Sequence, residues 1–149
     1  MAEQAREQIT IDAPVEACFA TLVDLERYPE WVGDLKEVAV VERDDDGRGL
    51  VVEFRAAGMG RSTTYRLRYD YDGAPHRLGW TLEEGDITRA IEGAYLLSPT
   101  EGDAGTEVVY ELAVDLIMPI PGFVKRRAED RIIKSALQAL KTRVESSRS

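Results

Sequence analysis

The last quarter of the chain restricts the possible fold more than any other stretch. From Met118 to Ser149 the sequence is MPIPGFVKRRAEDRIIKSALQALKTRVESSRS. Pro119, Pro121 and Gly122 punctuate its start, where a helix accepts proline. Val124, Ala128, Ile132, Ile133, Ala136, Leu137, Leu140 and Val144 then recur at three- and four-residue steps. Lys125, Arg126, Glu129, Lys134, Gln138, Lys141 and Glu145 fill the complementary face. The spacing predicts a helix over Pro121 to Glu145, roughly 37 Å long at about 1.5 Å per residue. Such a helix crosses a whole small domain and needs a broad apolar surface to cover.

The preceding residues supply that surface as strands. REQITIDAP alternates, with Ile9 and Ile11 on one side. Asp12, Ala13-Pro14 and Glu16 are a helix-start pattern, and VEACFATLVDL gives one apolar face of a short helix. Pro29 in ERYPEWVGDL must break or restart that helix, which predicts two short helices in a bent pair, with Tyr28 and Trp31 in the bend. From Leu35 the apolar period is two for about 80 residues, cut by turn-forming clusters. TTYRLRYDYDG is the clearest case: Thr63, Tyr65, Leu67, Tyr69 and Tyr71 oppose Thr64, Arg66, Arg68, Asp70 and Asp72. RLGWTLEEG groups Leu78, Trp80 and Leu82. DITRAIEGAYLLSP aligns Ile87, Arg89, Ile91, Gly93, Tyr95 and Leu97, and TEVVYELAVDLIM aligns Val108, Tyr110, Leu112, Val114 and Leu116. One strand, two short helices, six strands and one long helix make an α+β domain. Its curled antiparallel sheet of about seven strands has one wet face and one covered by the C-terminal helix. A chain of 149 residues is expected to be a single domain over 1–149.

Charge narrows the partners. The net charge of −9 argues against nucleic acid, whose phosphates repel it. The charge is unevenly spread: residues 1–124 carry 25 acidic and 11 basic residues, residues 125–149 carry 3 acidic and 8 basic. Pairing of the basic helix with an acidic rim of the sheet is the plainer expectation; transient docking on an anionic membrane or partner is the alternative. The one cysteine, Cys18, permits no intramolecular disulfide and points to a reducing cytoplasm. MAEQAREQIT lacks the apolar core of a secretory signal, and the most apolar run, Leu112 to Val124, is interrupted by Asp115, Pro119, Pro121 and Gly122, so no integral membrane segment is expected.

Two stretches carry a family resemblance. IDAPVEACFATLVDLERYPEWVGDLKEVAVVE, Ile11 to Glu42, resembles an opening in which Ala-Pro plus an acidic residue begin one helix and Tyr-Pro-x-Trp ends the next. GDITRAIEGAYLLSPTEGDAGTEVVYELAVDLIMPIPGFVKRRAEDRIIKSALQALKTRV, Gly85 to Val144, resembles a Gly-Thr hairpin, two long strands, a proline-rich elbow and a closing helix. Together they are similar to the START-like, Bet v 1-like superfamily (SRPBCC), and within it to the polyketide cyclase/dehydrase proteins. The resemblance implies a helix-grip fold and spans essentially the whole chain, but the superfamily includes cyclases, lipid carriers and receptors, so it does not choose a function. RYPEWV is also similar to the coenzyme-Q-binding and ribosome-associated-toxin branch. The chain departs from that branch at Gly33-Asp34-Leu35, where an aromatic or cysteine is usual.

Catalytic groups are scarce. His76 falls at a hairpin tip in GAPHR, where an exposed turn residue is expected rather than a base. One His and one Cys cannot build a zinc site, Cys18 is expected to be buried packing, and Asp44-Asp45-Asp46 lacks calcium-loop spacing. No metal or cofactor is expected. Tyrosine stands out instead: Tyr65, Tyr69, Tyr71, Trp80, Tyr95 and Tyr110 fall on inward faces, and a buried tyrosine needs a partner for its hydroxyl. Rings simply packed in the core are one account; the wall of a small-molecule cavity is the other. Arg89 shares the inward register, where it would meet a carboxylate such as Asp130 or an anionic ligand, unless a β-bulge turns it outward. The expected function is binding or carriage of a hydrophobic small molecule, a lipid, polyketide or isoprenoid, between sheet and helix. Trp31 and Met59 would guard the entrance, and Phe54, Tyr65, Tyr69, Trp80, Tyr95, Tyr110, Phe123, Ile133 and Leu137 would line the site. Arg89 would orient a polar end. A cyclase of the kind the resemblance implies is the second reading, and a protein-interaction module using Lys125, Arg126 and Lys134 the third. An enclosed pocket above about 300 Å³ is the geometric requirement of the first two.

Overall fold

A computed structural model of the chain describes residues 4–58 and 61–146. Seven strands form one antiparallel sheet: β1 (Ala5–Ile11), β2 (Leu35–Arg43), β3 (Gly49–Gly58), β4 (Arg61–Asp70), β5 (Arg77–Gly85), β6 (Thr88–Pro99) and β7 (Thr106–Leu116). Their order is β1-β7-β6-β5-β4-β3-β2, a meander from β2 to β7 closed by the N-terminal strand. α1 (Val15–Val23) and a 3₁₀ turn (Leu25–Glu30) lie between β1 and β2, and α2 (Gly122–Ser146) ends the chain. This is the helix-grip arrangement the alternation predicts, with α2 one residue offset from the expected span.

Local chemistry accounts for the joints. α1 begins after Pro14, whose carbonyl accepts the Ala17 and Cys18 N–H groups at 3.1 and 3.2 Å. Asp12 does not cap this helix; its own N–H donates to Glu145 Oε2 at 2.9 Å. Pro29 turns the expected second helix into a single 3₁₀ turn, and the Tyr28 hydroxyl ties it back to the Leu22 carbonyl at 2.5 Å. The β2–β3 hairpin closes on Asp44, which accepts the Asp46 and Arg48 N–H groups at 3.0 and 2.9 Å. Gly47 there adopts φ +83°, a conformation only glycine takes freely.

Strand alternation puts Val52, Phe54, Leu67, Tyr69, Leu78, Trp80, Leu97, Val108, Tyr110 and Leu112 in one core with α1 and α2. The outer face carries ion pairs across neighbouring strands, including Arg66–Glu53 at 3.0 Å and Arg68–Glu83 at 2.8 Å.

α2 buries Glu129, Ile133, Ala136, Leu137, Leu140 and Val144. The apolar side chains among these contribute about 1.5–3 kcal/mol each for a Leu, Ile or Val. The register differs from the predicted stripe at its N-terminal half. Stepping back from Val144 through Leu140, Leu137 and Ile133 reaches Glu129, not Ala128, so Val124, Ala128 and Ile132 are exposed and Glu129 is inside. Glu129 is paired there: Oε2 accepts the Val114 N–H at 2.8 Å and lies 3.5 Å from Lys125 Nζ. Val114 lies beyond the stretch of β7 that β1 covers, since β1 begins at Ala5 opposite Leu112. Among the described residues, the carboxylate thus completes the ladder where β1 does not reach.

The expected pairing of the basic helix with an acidic rim is only partly found. Arg143 Nη2 meets Glu30 Oε1 at 2.7 Å, whereas Lys125 and Lys141 pair within α2, with Glu129 and Glu145. Arg127, Arg131 and Lys134 are exposed.

Candidate functional site

The inner face of the sheet holds a continuous path of rings. From the 3₁₀ turn, Trp31 meets Tyr28 at 5.0 Å between centroids, and Tyr28 meets Phe54 at 6.4 Å. Phe54 stacks on Tyr65 at 5.5 Å, as their direct register across β3 and β4 requires. Tyr69 joins Phe54 and Tyr71 at 6.4 Å and Trp80 at 5.9 Å. Trp80 meets Tyr95 at 5.4 Å and Tyr110 at 5.6 Å, and the last two lie 4.4 Å apart. The path takes in nine of the eleven aromatic side chains, leaving out only Phe19 and Phe123.

A small residue makes the centre possible. Gly93 is the register partner of Trp80, and a Cβ there would stand 2.7 Å from two indole carbons. The indole therefore lies flat across β6, where any side chain would push it away.

The hydroxyls divide into two groups. Tyr28 donates to Leu22 O at 2.5 Å and Tyr71 to Gly49 O at 2.6 Å, both locking one segment to another. Tyr69, Tyr95 and Tyr110 are buried as residues and donate to no protein group among the described residues, but their hydroxyl oxygens are not fully enclosed. The fully buried side-chain oxygen without a partner among those residues is Thr88 Oγ1. Burial raises the pKa of Tyr69, Tyr95 and Tyr110 well above the ordinary phenol value, and neighbouring tyrosines add to the shift. Burial likewise pushes Tyr65 up to about 12. All four hydroxyls are therefore protonated at neutral pH, able to donate a hydrogen bond and unable to act as bases.

The other predicted site residues fall out as follows. Ile133 and Leu137 lie on the buried face of α2, in the same core as the rings. Trp31 is half-buried at one end of the path. Phe123, expected to line the site, is 67 % exposed: its place in the first turn of α2 is off the buried face. Met59 lies outside the described residues. Arg89 does not face inward. A bulge between Thr88 and Ala90 shifts the period, placing Thr88 and Ile91 inside and Arg89 and Ala90 outside. Arg89 then donates to Asp115 Oδ2 from Nη2 at 2.6 Å and from Nε at 3.1 Å, and these hydrogen bonds hold the Asp115 carboxyl below its ordinary pKa. Its expected partner Asp130 is not involved. His76 is exposed in the β4–β5 turn, its Nδ1 3.0 Å from Leu97 O.

Two hollows of about 550 and 450 Å³ lie on the polar side of the sheet, open to solvent. The first is lined by Arg68, Asp70, Arg77, Thr81, Glu92 and Glu111 among others; the second by Glu37, Glu53, Arg55 and Thr64 among others. Neither is the enclosed sheet–helix pocket that the ligand readings require. The rings form a continuous wall there, each in contact with the next. Sequence reasoning missed Tyr28, Gly93 and Glu129 as parts of this interior. Only Gly93 had a signal, in its inward register beside Trp80.

The curled sheet, gripped helix and ring-lined interior define a helix-grip domain of the START type. Residues 2–145 match the model of the family described as polyketide cyclase/dehydrase and lipid transport, and the chain belongs to that family. No curated protein matches it. Among solved structures, a START superfamily protein from Mycobacterium smegmatis is 22% identical with a TM-score of 0.90, over 97% of this chain and 98% of its own. A Thermus thermophilus protein is 26% identical with a TM-score of 0.80, over 98% and 99%. The Zhui aromatase/cyclase from Streptomyces is 17% identical with a TM-score of 0.85, over 100% and 97%.

Proposed function

We propose that the protein binds and carries a hydrophobic small molecule with a polar end, held between the inner face of the sheet and α2. The supporting observation is the ring path with the hydroxyls of Tyr69, Tyr95 and Tyr110, buried residues that donate to no protein group among the described residues and stay protonated at neutral pH. A ligand oxygen entering among the rings would accept from one of these hydroxyls, a hydrogen bond worth about 0.5–1.5 kcal/mol net. Apolar burial at about 25 cal/mol per Å² supplies the rest, less the ordering costs of association. Because the rings are in mutual contact, binding proceeds by opening. The β7–α2 elbow is the place for this, since α2 is least buried there.

Native mass spectrometry of gently purified protein, followed by calorimetric titration with fatty acids, aromatic polyketides and isoprenoids, tests the reading. A co-purifying or titratable hydrophobic ligand supports it. Tyr110→Phe should weaken binding about 2- to 10-fold, the worth of one net hydrogen bond. Failure of every hydrophobic class to bind overturns it. The aromatase/cyclase reading uses the same hydroxyls as hydrogen-bond donors to an enolate oxygen, since their raised pKa keeps them protonated; turnover of a poly-β-ketone, slowed in Tyr69→Phe, would favour it over carriage.

A further inference from the structure

The charge and the apolar surface are both displaced toward one end of the molecule. Ile117, Met118, Phe123 and Val124 are 58, 41, 67 and 39 % exposed, clustered in the elbow and the first turn of α2 within eight residues of sequence. A chain of 44% hydrophobic residues has scattered exposed ones; four together at one tip are different. The elbow backbone is held at its base, where the Ile117 N–H donates to Ile87 O at 2.9 Å.

Directly beside them the charge reverses. From Phe123 to Lys134 there are five basic residues against two acidic ones, and one of the two, Glu129, is buried under the helix. Phe123, Arg127, Arg131 and Lys134 follow at four, four and three residues, so they share one exposed stripe, with Asp130 at its margin. A protein of net charge −9 is repelled on average by an anionic surface, and this basic stripe is a local reversal that favours approach with the elbow forward.

We propose that the elbow and the first three turns of α2 form a docking site for an anionic lipid bilayer. Phe123 and its apolar neighbours enter the headgroup region, and Arg127, Arg131 and Lys134 lie against the lipid phosphates. A bilayer fits these features better than a protein partner does. The apolar groups stand out from a tip instead of lining a groove, and the cations are single-signed on flexible stems that need charge but no matching shape. The inference does not depend on the ligand reading, because docking is measured with vesicles that carry no ligand.

Flotation with vesicles of phosphatidylcholine alone, and of phosphatidylcholine with phosphatidylglycerol, at low and high salt, decides it. Binding is expected to the anionic vesicles at low salt, and it should fall with salt and with removal of phosphatidylglycerol. Arg127→Glu, Arg131→Glu and Lys134→Glu together should lower the partition on the order of 100-fold, and Phe123→Asp about 10-fold. All four positions are exposed, so an unchanged thermal midpoint verifies that the variants fold. No flotation with anionic vesicles, equal flotation with neutral ones, or flotation indifferent to both variants overturns the proposal. So does concentration-dependent self-association abolished by Phe123→Asp, which would assign the patch to a second copy of the chain.

Discussion

The two halves of α2 are the instructive comparison. The C-terminal half is fastened on every side: Leu140 is fully buried and Val144 nearly so. Lys141 Nζ donates to Thr10 O at 2.9 Å, Glu145 accepts the Asp12 N–H, and Arg143 reaches Glu30. The N-terminal half is held by the bond from Glu129 to Val114 and by the buried Ile133, and shows Phe123, Val124 and Ile132 to solvent. One helix therefore serves two purposes. Its far end closes the core, and its near end is cheap to move.

The largest expected effect tests that asymmetry directly. Leu140→Ala should cost about 2–5 kcal/mol, whereas Phe123→Ala should stay within about 0.5 kcal/mol. Denaturant unfolding of both variants checks this, and similar costs at the two sites would erase the comparison. Gly93→Ala comes next, because its methyl meets the Trp80 indole; a loss of about 1–3 kcal/mol is expected from overpacking, with altered near-ultraviolet circular dichroism. Glu129→Gln should weaken the bond from the near half to Val114, costing up to about 3 kcal/mol as a charge-assisted hydrogen bond becomes neutral. Hydrogen exchange of the Val114 amide should rise more than that of amides near Leu140.

A smaller effect appears on the alkaline side. Tyr65 and Tyr71 have folded pKa values near 12 against an ordinary 10.0, both raised chiefly by burial. A raised folded value means that the native state holds the proton more tightly than the unfolded chain. Stability should therefore be intact below pH 10 and fall as pH rises to about 12. Tyrosinate absorbance should develop late and together with unfolding; early ionisation of most tyrosines would contradict the buried path.

Smallest of all, Arg89→Ala should leave the midpoint unmoved, since its pair with Asp115 is exposed. The visible change should be in Asp115 alone. Its lowered carboxyl pKa depends first on the Arg89 hydrogen bond, so the pair favours folding above the ordinary carboxylate value of 3.8 and loses that influence as pH falls through the lowered one. A carboxyl titration by NMR should find the Asp115 value raised toward normal, with Lys125 and the Leu116 N–H still lowering it.

Period two over β2 to β7 and a single amphipathic segment were enough to read the fold, because a one-residue slip would expose every inward ring. The ring wall was legible for the same reason: Tyr69, Trp80, Tyr95 and Tyr110 follow strict alternation. Arg89 was not legible, since the bulge before Ala90 is a backbone event and its inward slot passed to Thr88. Glu129 was hidden by phase, because a helix that starts beside Ala128 looks apolar there until Leu140 and Val144 set its rotation. Phe123 is hydrophobic by composition, and only the position of the first turn reveals that it faces out.

One consequence of the ring path is optical. Both tryptophans belong to it, one at its half-exposed end and one beneath the sheet, with all six tyrosines between and around them. Light absorbed by the tyrosines will pass to the two indoles, so the molecule carries its own pair of reporters. A soluble quencher should reach Trp31 and spare Trp80, and any event that parts the rings should be seen first in the emission of the second.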